Sequence, residues 1–374
     1  MKEISQLSVH FREQEVGVLR LSPERDHCVF SYTQEWLSSG FSLSPLELPL
    51  KNDLFHASAD AFSGGFAVFE DSLPDGYGLY LLDRMLKKEG ASLRDLSVLQ
   101  RLSVIGRTSM GALSYHPFQS LSTAGTTATL EQLDLFQEKA LEVLSEKNEA
   151  DADWLYYNSG NSGGARPKIL LNTTDGKHLI VKFRHIYDPA DVGRMEYLYM
   201  QTARHCGITV PETRLINNKY LAVERFDIRG GQRMHVLSAA ALLKTDFRRQ
   251  DADYQNLLAL TGYLTQDSGQ VEQMFRLMVF NIIADNKDDH ARNFSFICDD
   301  GSWSLAPAYD LTYSPSGTRG EHATSVMYAG NPSLDNVLAA GTGIRIPRKR
   351  CMEIVSHIQE TCKRELPVII PLLK

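Results

Sequence analysis

One polar segment constrains the fold of this chain more than any other, because acidic residues stand at fixed spacing between recognisable structural elements. In Asn286-Lys287-Asp288-Asp289-His290-Ala291-Arg292-Asn293, an Asp and an Asn lie five positions apart. The residues before this segment are apolar at helical spacing, at positions 271, 274, 275, 278, 279, 282 and 283. They predict a helix that delivers the chain into the polar segment.

A β-hairpin is predicted directly after the segment. Residues 294–297 alternate, Asp299-Asp300-Gly301 is a turn signal, and residues 303–306 form the returning strand. This hairpin would bring Asn293 and Asp310, which flank it, to the same end. Together with Asp288 they would place three oxygen ligands on one rim, a set that suits Mg²⁺.

The spacing Asp-x-x-x-x-Asn is that of the catalytic loop of protein kinases. In that loop the Asp receives the proton of a substrate hydroxyl and the Asn holds Mg²⁺. Asp310, in Ala308-Tyr309-Asp310-Leu311, stands where a kinase carries its second metal-binding acid. Two alternatives are open at this point: an ordinary polar loop, and a hydrolase metal cluster of Asp288, Asp289, His290 and Asp310.

Composition sets outer limits on the class of protein. The 374 residues allow two or three domains, and 43% hydrophobic with 23% charged residues is ordinary for a soluble protein. The apolar runs are too short to span a bilayer and the start has no signal-peptide core, so we expect a cytoplasmic protein without a membrane partner. Five scattered cysteines predict reduced thiols, and a net charge of −7 argues against general attraction to nucleic acid.

Composition along the chain predicts three parts and an α+β fold. Residues 1–118 are expected to form a small β-rich subdomain with a helix from Tyr77 to Leu86, and residues 119–150 a linker and a helix. Residues 151–374 are expected to form a bilobal domain, with a β-rich lobe over 151–230 and an α-helical lobe over 231–374.

A glycine-rich loop opens the predicted β-rich lobe. Gly163-Gly164-Ala165-Arg166-Pro167-Lys168 precedes a strand, and glycines allow backbone N–H groups to approach phosphate oxygens. It is not a Walker A loop. A flexible surface turn is the alternative, although Arg166 and Lys168 directly before a strand favour an anion site.

Two further segments fit a nucleotide site. Lys182 closes an apolar strand, in the order expected for the strand lysine of kinases, and Glu196 on the next predicted helix is a candidate partner. Glu224-Arg225-Phe226 ends a strand where a hinge would meet adenine; a plain strand end with a core Phe is equally consistent with the sequence. His290 is interpreted as structural or as lining the nucleotide pocket.

These motifs, taken in order, resemble the HipA family, the serine/threonine-kinase toxins of bacterial toxin–antitoxin pairs. The resemblance covers nearly the whole chain. In the first subdomain it includes residues 16–19, 69–76 and 105–113, and in the kinase part it includes residues 163–168, 223–227, 288–293 and 307–311.

The resemblance implies ATP- and Mg²⁺-dependent phosphorylation of a protein serine or threonine. Asp288 would be the base, Asn293 and Asp310 the metal ligands, and the 163–168 loop with Lys182 the phosphate grip. Glu224, Arg225 and Phe226 would hold the adenine, with His290 and Arg292 beside the nucleotide. It also implies a HipB-like DNA-binding antitoxin as partner and an aminoacyl-tRNA synthetase as the kind of substrate.

The chain departs from the family pattern at two places. The position of the serine that is autophosphorylated in some relatives falls near Asn161, which leaves Ser159 and Ser162 as candidates. Asp289 differs from the small residue found at this position in some relatives, and it would either help to bind metal or face water. The alternatives to a toxin kinase are a small-molecule phosphotransferase and a degenerate kinase that serves as regulatory partner of a DNA-binding antitoxin.

Overall fold

The computed structural model of the chain describes residues 2–24, 26–105, 110–119, 127–148, 150–159, 163–246, 251–317, 319–368 and 373. The chain divides into two compact units, of which the first comprises Met1–Gly193 with Lys219–Val236 and the second Arg194–Asn218 with Leu237–Lys374. Most of the predicted linker, residues 120–126, lies outside the described residues.

Both units contain helices together with strands that pair mostly antiparallel, which confirms the predicted α+β class. The strands are β1 Gln6–Phe11, β2 Gln14–Leu21, β3 Cys28–Tyr32, β4 Phe55–His56, β5 Leu113–His116, β6 Lys168–Asn172, β7 His178–Lys182, β8 Thr213–Ile216, β9 Tyr220–Glu224, β10 Ile228–Arg229, β11 Gln232–Arg233, β12 His235–Ser238, β13 Ala252–Asp253, β14 Ser295–Asp299, β15 Ser302–Leu305 and β16 Thr324–Ser325. The helices are α1 Gln34–Ser39, α2 Ala67–Glu70, α3 Gly76–Lys88, α4 Val98–Ile105, α5 Leu133–Leu144, α6 Ala152–Ser159, α7 Val192–His205, α8 Ala239–Leu243, α9 Tyr254–Thr265, α10 Ser268–Ile283, α11 Leu334–Gly343 and α12 Arg348–Glu365.

The first unit begins with a five-stranded antiparallel sheet in the order β4-β3-β2-β1-β5. In β3, alternate residues Cys28, Phe30 and Tyr32 are buried, as expected for strands with one face on a core. The helix predicted over 77–86 is confirmed as α3, whose apolar residues Leu81, Leu82, Met85 and Leu86 are buried.

A second antiparallel set of strands in the first unit carries the predicted phosphate and adenine segments. Strand β7 pairs with β6 on one side and with β9 on the other. The carboxylate of Asp227, fully buried after β9, accepts hydrogen bonds from the Arg225 guanidinium and from the N–H of Gly111. Burial would raise the pKa of Asp227, but the Arg225 hydrogen bonds and charge lower it.

The second unit is built around α10, the helix predicted to lead into the polar segment. Asp267 caps its start by accepting a hydrogen bond from the N–H of Gly269. Its residues Met274, Phe275, Met278 and Val279 are all buried. No helix in the described part of the chain is long and apolar enough to cross a membrane.

The predicted hairpin after the polar segment is confirmed. Strands β14 and β15 pair antiparallel, with Phe296 opposite Leu305 and Asp299 opposite Ser302. Asp300 and Gly301 form the connection with φ angles of 48° and 88°. This is the left-handed backbone that an Asp-Gly turn supplies in tight hairpins.

A buried histidine in the first unit makes its stability dependent on pH. His235 is 1% exposed and its Nε2–H donates to the carbonyl of Leu43. Burial lowers the pKa of His235 from its usual 6.5 to about 4. Between pH 6.5 and 4 the unfolded chain therefore binds a proton that the folded chain does not. The free energy of unfolding falls as the pH drops through this window, so the folded state becomes less stable.

We expect acidification from pH 7.5 to pH 4 to remove about 3 kcal/mol of stability through this one group. In His235→Gln, whose amide can still donate to Leu43, this loss should disappear. Denaturant unfolding at several pH values measures it, with the exposed His56→Gln as control. A pH profile of His235→Gln identical to that of the wild type would contradict the assignment.

Candidate active site

The polar segment predicted to carry the chemistry is held at the end of α10 by backbone hydrogen bonds. The N–H of Asn286 donates to the carbonyl of Asn281 at 2.9 Å, and the N–H of Lys287 to the carbonyl of Ser314 at 3.1 Å. The N–H of Ser314 in turn donates to the carbonyl of Asp285. The loop is therefore tied both to the helix before it and to the chain after the hairpin.

Asp289 anchors this loop from inside the second unit. It is 1% exposed, and its carboxylate accepts hydrogen bonds from the Tyr254 hydroxyl at 2.8 Å and from His322 Nδ1 at 3.0 Å. The N–H groups of Ala323 and Thr324 donate to its other oxygen. Neither role considered for Asp289 from the sequence, metal binding or exposure to water, fits this environment. Its carboxylate instead fixes the loop to residues 322–324.

Asp288, the neighbour of Asp289, is exposed. Asn293 Nδ2 donates to the backbone carbonyl of Asp288 at 2.8 Å, and the N–H of Asn293 donates to the carbonyl of His290. This bond fixes the Nδ2 end of the Asn293 amide, and Oδ1, which carries the lone pairs, is the end that can coordinate a cation. The hydrogen bond from Asn293 Nδ2 thus orients the Asn293 amide, a candidate metal ligand, and holds the backbone of Asp288, the predicted base.

Asp310 is connected to the same end of the hairpin through its neighbour Tyr309. The Tyr309 hydroxyl donates to the carbonyl of Arg292 at 2.6 Å and lies 2.6 Å from Ser295 Oγ. Asp310 itself has φ 58°, a conformation that is uncommon outside glycine and found at functional sites. The residues next to Asp310 and next to Asn293 therefore lie together, as the predicted hairpin requires.

The described residues do not support the hydrolase alternative, which requires a metal cluster of acidic and histidine side chains. Over the described ranges, no group of three or more His, Cys, Asp and Glu side chains is placed to hold a metal ion. Asn293 and Asp310 offer an amide and a carboxylate oxygen, a hard set that fits Mg²⁺ when the remaining ligands are water and phosphate. His290 and Arg292, both half-buried, lie within this loop.

The glycine loop lies in the first unit, packed against the start of α3. Lys168, 5% exposed, donates from Nζ to the carbonyl of Gly163. The N–H of Gly164 donates to the Asp75 carboxylate, and the carbonyl of Gly164 accepts from the N–H of Tyr77 at 3.1 Å. Asp75 and Tyr77 at the start of α3 thus hold the loop. The spacing of the glycines in the sequence did not indicate this contact.

Arg166, a candidate for phosphate contact, forms a two-pronged ion pair with Asp188. Its Nε and Nη2 lie 2.8 and 3.1 Å from the two carboxylate oxygens. Burial would raise the pKa of Asp188, but the hydrogen bonds from Arg166 and from the N–H of His185 lower it. Arg166 therefore braces the chain after β7 as well as the loop that precedes Pro167.

Lys182 stands opposite Lys168 in the pairing of β7 with β6. Directly paired residues of antiparallel strands project from the same face of the sheet. Two ammonium groups on one face of neighbouring strands are an arrangement that a bound anion would stabilise. The predicted partner of Lys182, Glu196, is buried on α7 in the second unit.

The predicted hinge is a strand end with its polar groups engaged. Glu224 pairs with Lys177 at 2.8 Å, Arg225 pairs with Asp227, and Phe226 is half-buried. The N–H of Arg225 donates to the carbonyl of His178. That donor is part of the sheet, so an adenine ring would have to use other backbone groups of the segment.

Ser159 and Ser162 are the two candidate autophosphorylation sites. Ser159 is the last residue of α6 and is 1% exposed, so a phosphoryl donor could reach its hydroxyl only if this helix end opened. Ser162 lies outside the described residues.

Several side chains that hold the candidate residues in place within each unit were missed from the sequence, namely Asp75, Asp188 and Asp227 in the first unit and Tyr254 and His322 in the second. Each acts through hydrogen bonds to residues distant in the chain. Two of them, Asp75 and Asp227, stood in segments that the family resemblance included without giving these residues a role.

Two known protein families match this chain, one over its N-terminal and one over its C-terminal part. The family described as HipA-like C-terminal domain matches residues 160–366, more than half of the chain. The family described as HipA N-terminal domain matches residues 7–116. The chain belongs to the HipA family. Family membership supports the kinase activity that the sequence predicted.

A HipA of Shewanella oneidensis is similar over most of this chain, both in sequence and in solved structure. The serine/threonine-protein kinase toxin HipA of Shewanella oneidensis is 24% identical over 348 residues, which cover 82% of this chain and 74% of that protein. A solved complex of HipA, HipB and operator DNA from Shewanella oneidensis contains a chain with a TM-score of 0.70 and 19% identity. The match covers 98% of this chain and 92% of that one. At this identity the structural match establishes the kinase-like HipA fold.

Proposed function

We propose that this HipA family member transfers the γ-phosphoryl group of ATP, with Mg²⁺, to a serine or threonine of a protein. The observation that carries the proposal is a pair of hydrogen bonds. Asn293 Nδ2 donates to the backbone carbonyl of Asp288, and the hydroxyl of Tyr309, the residue before Asp310, donates to the carbonyl of Arg292. An exposed carboxylate and two oxygen ligands at one end of a hairpin are the parts that phosphoryl transfer requires.

The candidate residues would have four roles: binding Mg²⁺, binding the phosphates, holding the adenine and accepting the proton of the acceptor hydroxyl. Mg²⁺ bound by Asn293 Oδ1 and Asp310 would neutralise charge on the nucleotide phosphates. Lys168, Lys182 and the backbone of the 163–168 loop would hold the phosphates, while the 224–226 segment would hold the adenine. Asp288 would accept the proton of the acceptor hydroxyl, because it is exposed whereas the neighbouring Asp289 is buried.

The biological setting follows from the family. The Shewanella structure contains HipB and operator DNA together with HipA, and we propose that a HipB-like DNA-binding antitoxin restrains this kinase. An aminoacyl-tRNA synthetase is the proposed class of substrate, since phosphorylating one would slow translation. Contact with DNA would then be indirect, through the antitoxin.

The proposal predicts that nucleotide binding depends on divalent metal. Calorimetric titration of ATP with 5-fold excess Mg²⁺ should give an affinity at least about tenfold higher than titration in EDTA, because the cation screens the phosphates against Asp310. Asp310→Ala should reduce this difference, whereas Asp299→Ala, an exposed carboxylate on the hairpin, should not. Equal affinity with and without metal in the wild type would refute the metal site.

A further inference from the structure

The N-terminal HipA domain contacts the glycine loop, residues 163–168, through three consecutive residues, Asp75, Gly76 and Tyr77. The Asp75 carboxylate accepts a hydrogen bond from the N–H of Gly164, and the N–H of Tyr77 donates to the carbonyl of the same glycine. Both hydrogen-bonding groups of Gly164 are therefore engaged by the start of α3. Asp75 is 7% exposed, so this contact is shielded from water.

The contact leaves little room for a Cβ at two glycines that face each other across it. Gly76 has φ 43°, and a Cβ there would lie 2.5 Å from the carbonyl oxygen of Gly164. A Cβ on Gly163 would lie 3.1 Å from Asp75 Oδ1. Gly76 thus has a packing reason to lack a side chain that is independent of any phosphate.

The consequence concerns the conformation of the loop. A glycine-rich loop has many accessible backbone conformations, and a ligand that needs one of them must order it. Two hydrogen bonds to Gly164 and the steric fit of Gly76 restrict this loop before any ligand binds. The restriction comes from a domain that contributes none of the residues assigned to ATP above.

We propose that Asp75 is a positioning residue for the nucleotide phosphates, acting through Gly164 to hold the 163–168 loop in its binding conformation. The inference rests on the proposed function and assigns the N-terminal HipA domain a part in nucleotide affinity. Asp75 acts as a hydrogen-bond acceptor, so an amide oxygen at the same place should serve nearly as well. The contribution is confined to the phosphates, because the loop is the phosphate-contacting part.

Binding of MgATP and of adenosine to the full-length protein separates this role from a general structural one. In Asp75→Ala, we expect at least tenfold weaker binding of MgATP and less than a twofold change for adenosine, which has no phosphates. Asp75→Asn should remain within threefold of the wild type for both. Asp83→Ala, which removes a surface ion pair with Lys87 on the same helix, should change neither. Equal losses for both ligands, an unchanged MgATP affinity or a tighter one would overturn the inference.

A second variant tests the same contact while keeping Asp75. Gly76→Ala should displace Gly164 and give the same phosphate-specific loss. Gly90→Ala is its matched control, because Gly90 also has a positive φ, of 71°, but a Cβ there meets nothing within 4 Å. MgATP affinity that is the same in Gly76→Ala and Gly90→Ala would overturn the inference. A wild-type protein that binds no MgATP would instead refute the proposed function itself.

Discussion

Replacing Asp288 by asparagine is expected to lower phosphoryl transfer about 10²- to 10⁴-fold, the usual contribution of a general base. Asparagine keeps the size of the side chain and leaves the hydrogen bond from Asn293 to the backbone carbonyl of residue 288 intact. Affinity for MgATP should change less than about threefold, since the base acts on the acceptor hydroxyl and does not hold the nucleotide.

Single-turnover transfer from radiolabelled ATP, measured beside nucleotide binding, checks both parts of this expectation. Asp299→Asn is the matched control, as an exposed carboxylate in the same unit that lies outside the loop. Transfer at near-normal rates in Asp288→Asn would show that the base is another residue. Asp289 would not replace it, because its carboxylate is buried and already accepts four hydrogen bonds.

Replacing Asp289 by alanine is expected to destabilise the protein by about 3–5 kcal/mol. The substitution would leave the Tyr254 hydroxyl, His322 Nδ1 and the N–H groups of Ala323 and Thr324 without their acceptor inside the second unit. Buried donors without an acceptor lose their hydration and gain nothing in return. The loop that carries Asp288 should loosen as well, so activity should fall even where the variant remains folded.

Denaturant unfolding measures the loss, and two variants bracket it. Tyr254→Phe removes only one donor to Asp289 and should cost about 1–2 kcal/mol, whereas the exposed Asp299→Ala should stay within about 0.5 kcal/mol of the wild type. If Asp289→Ala were as stable as Asp299→Ala, the buried network would not be what fixes the loop.

The elements of this fold could be predicted well because their signals are local. The apolar periodicity of residues 271–283 predicted α10, and the Asp300-Gly301 turn predicted the β14–β15 hairpin. Both signals depend on residues within one or two turns of each other. The same holds for Asp288 and Asn293, whose spacing within one loop indicated their chemistry before their placement was known.

The supports of the site could not be predicted, because each joins residues far apart in the chain. Nothing near Asp289 in the sequence indicates that Tyr254 and His322 donate to it, so the sequence left open only metal binding or exposure to water for this residue. Likewise the sequence around Arg166 suggested a phosphate contact, whereas folding brings Asp188 to its guanidinium.

By itself the sequence determined the α+β class, the order of the motifs and the HipA family to which they belong, since these depend on local periodicity and spacing. Only the tertiary structure decided which of two adjacent carboxylates faces solvent, and which distant acceptor holds the glycine loop. Burial and hydrogen-bond partners arise when remote segments pack together. A carboxylate becomes an exposed candidate base at Asp288 or a buried anchor at Asp289 and Asp75 according to the donors that packing brings to it.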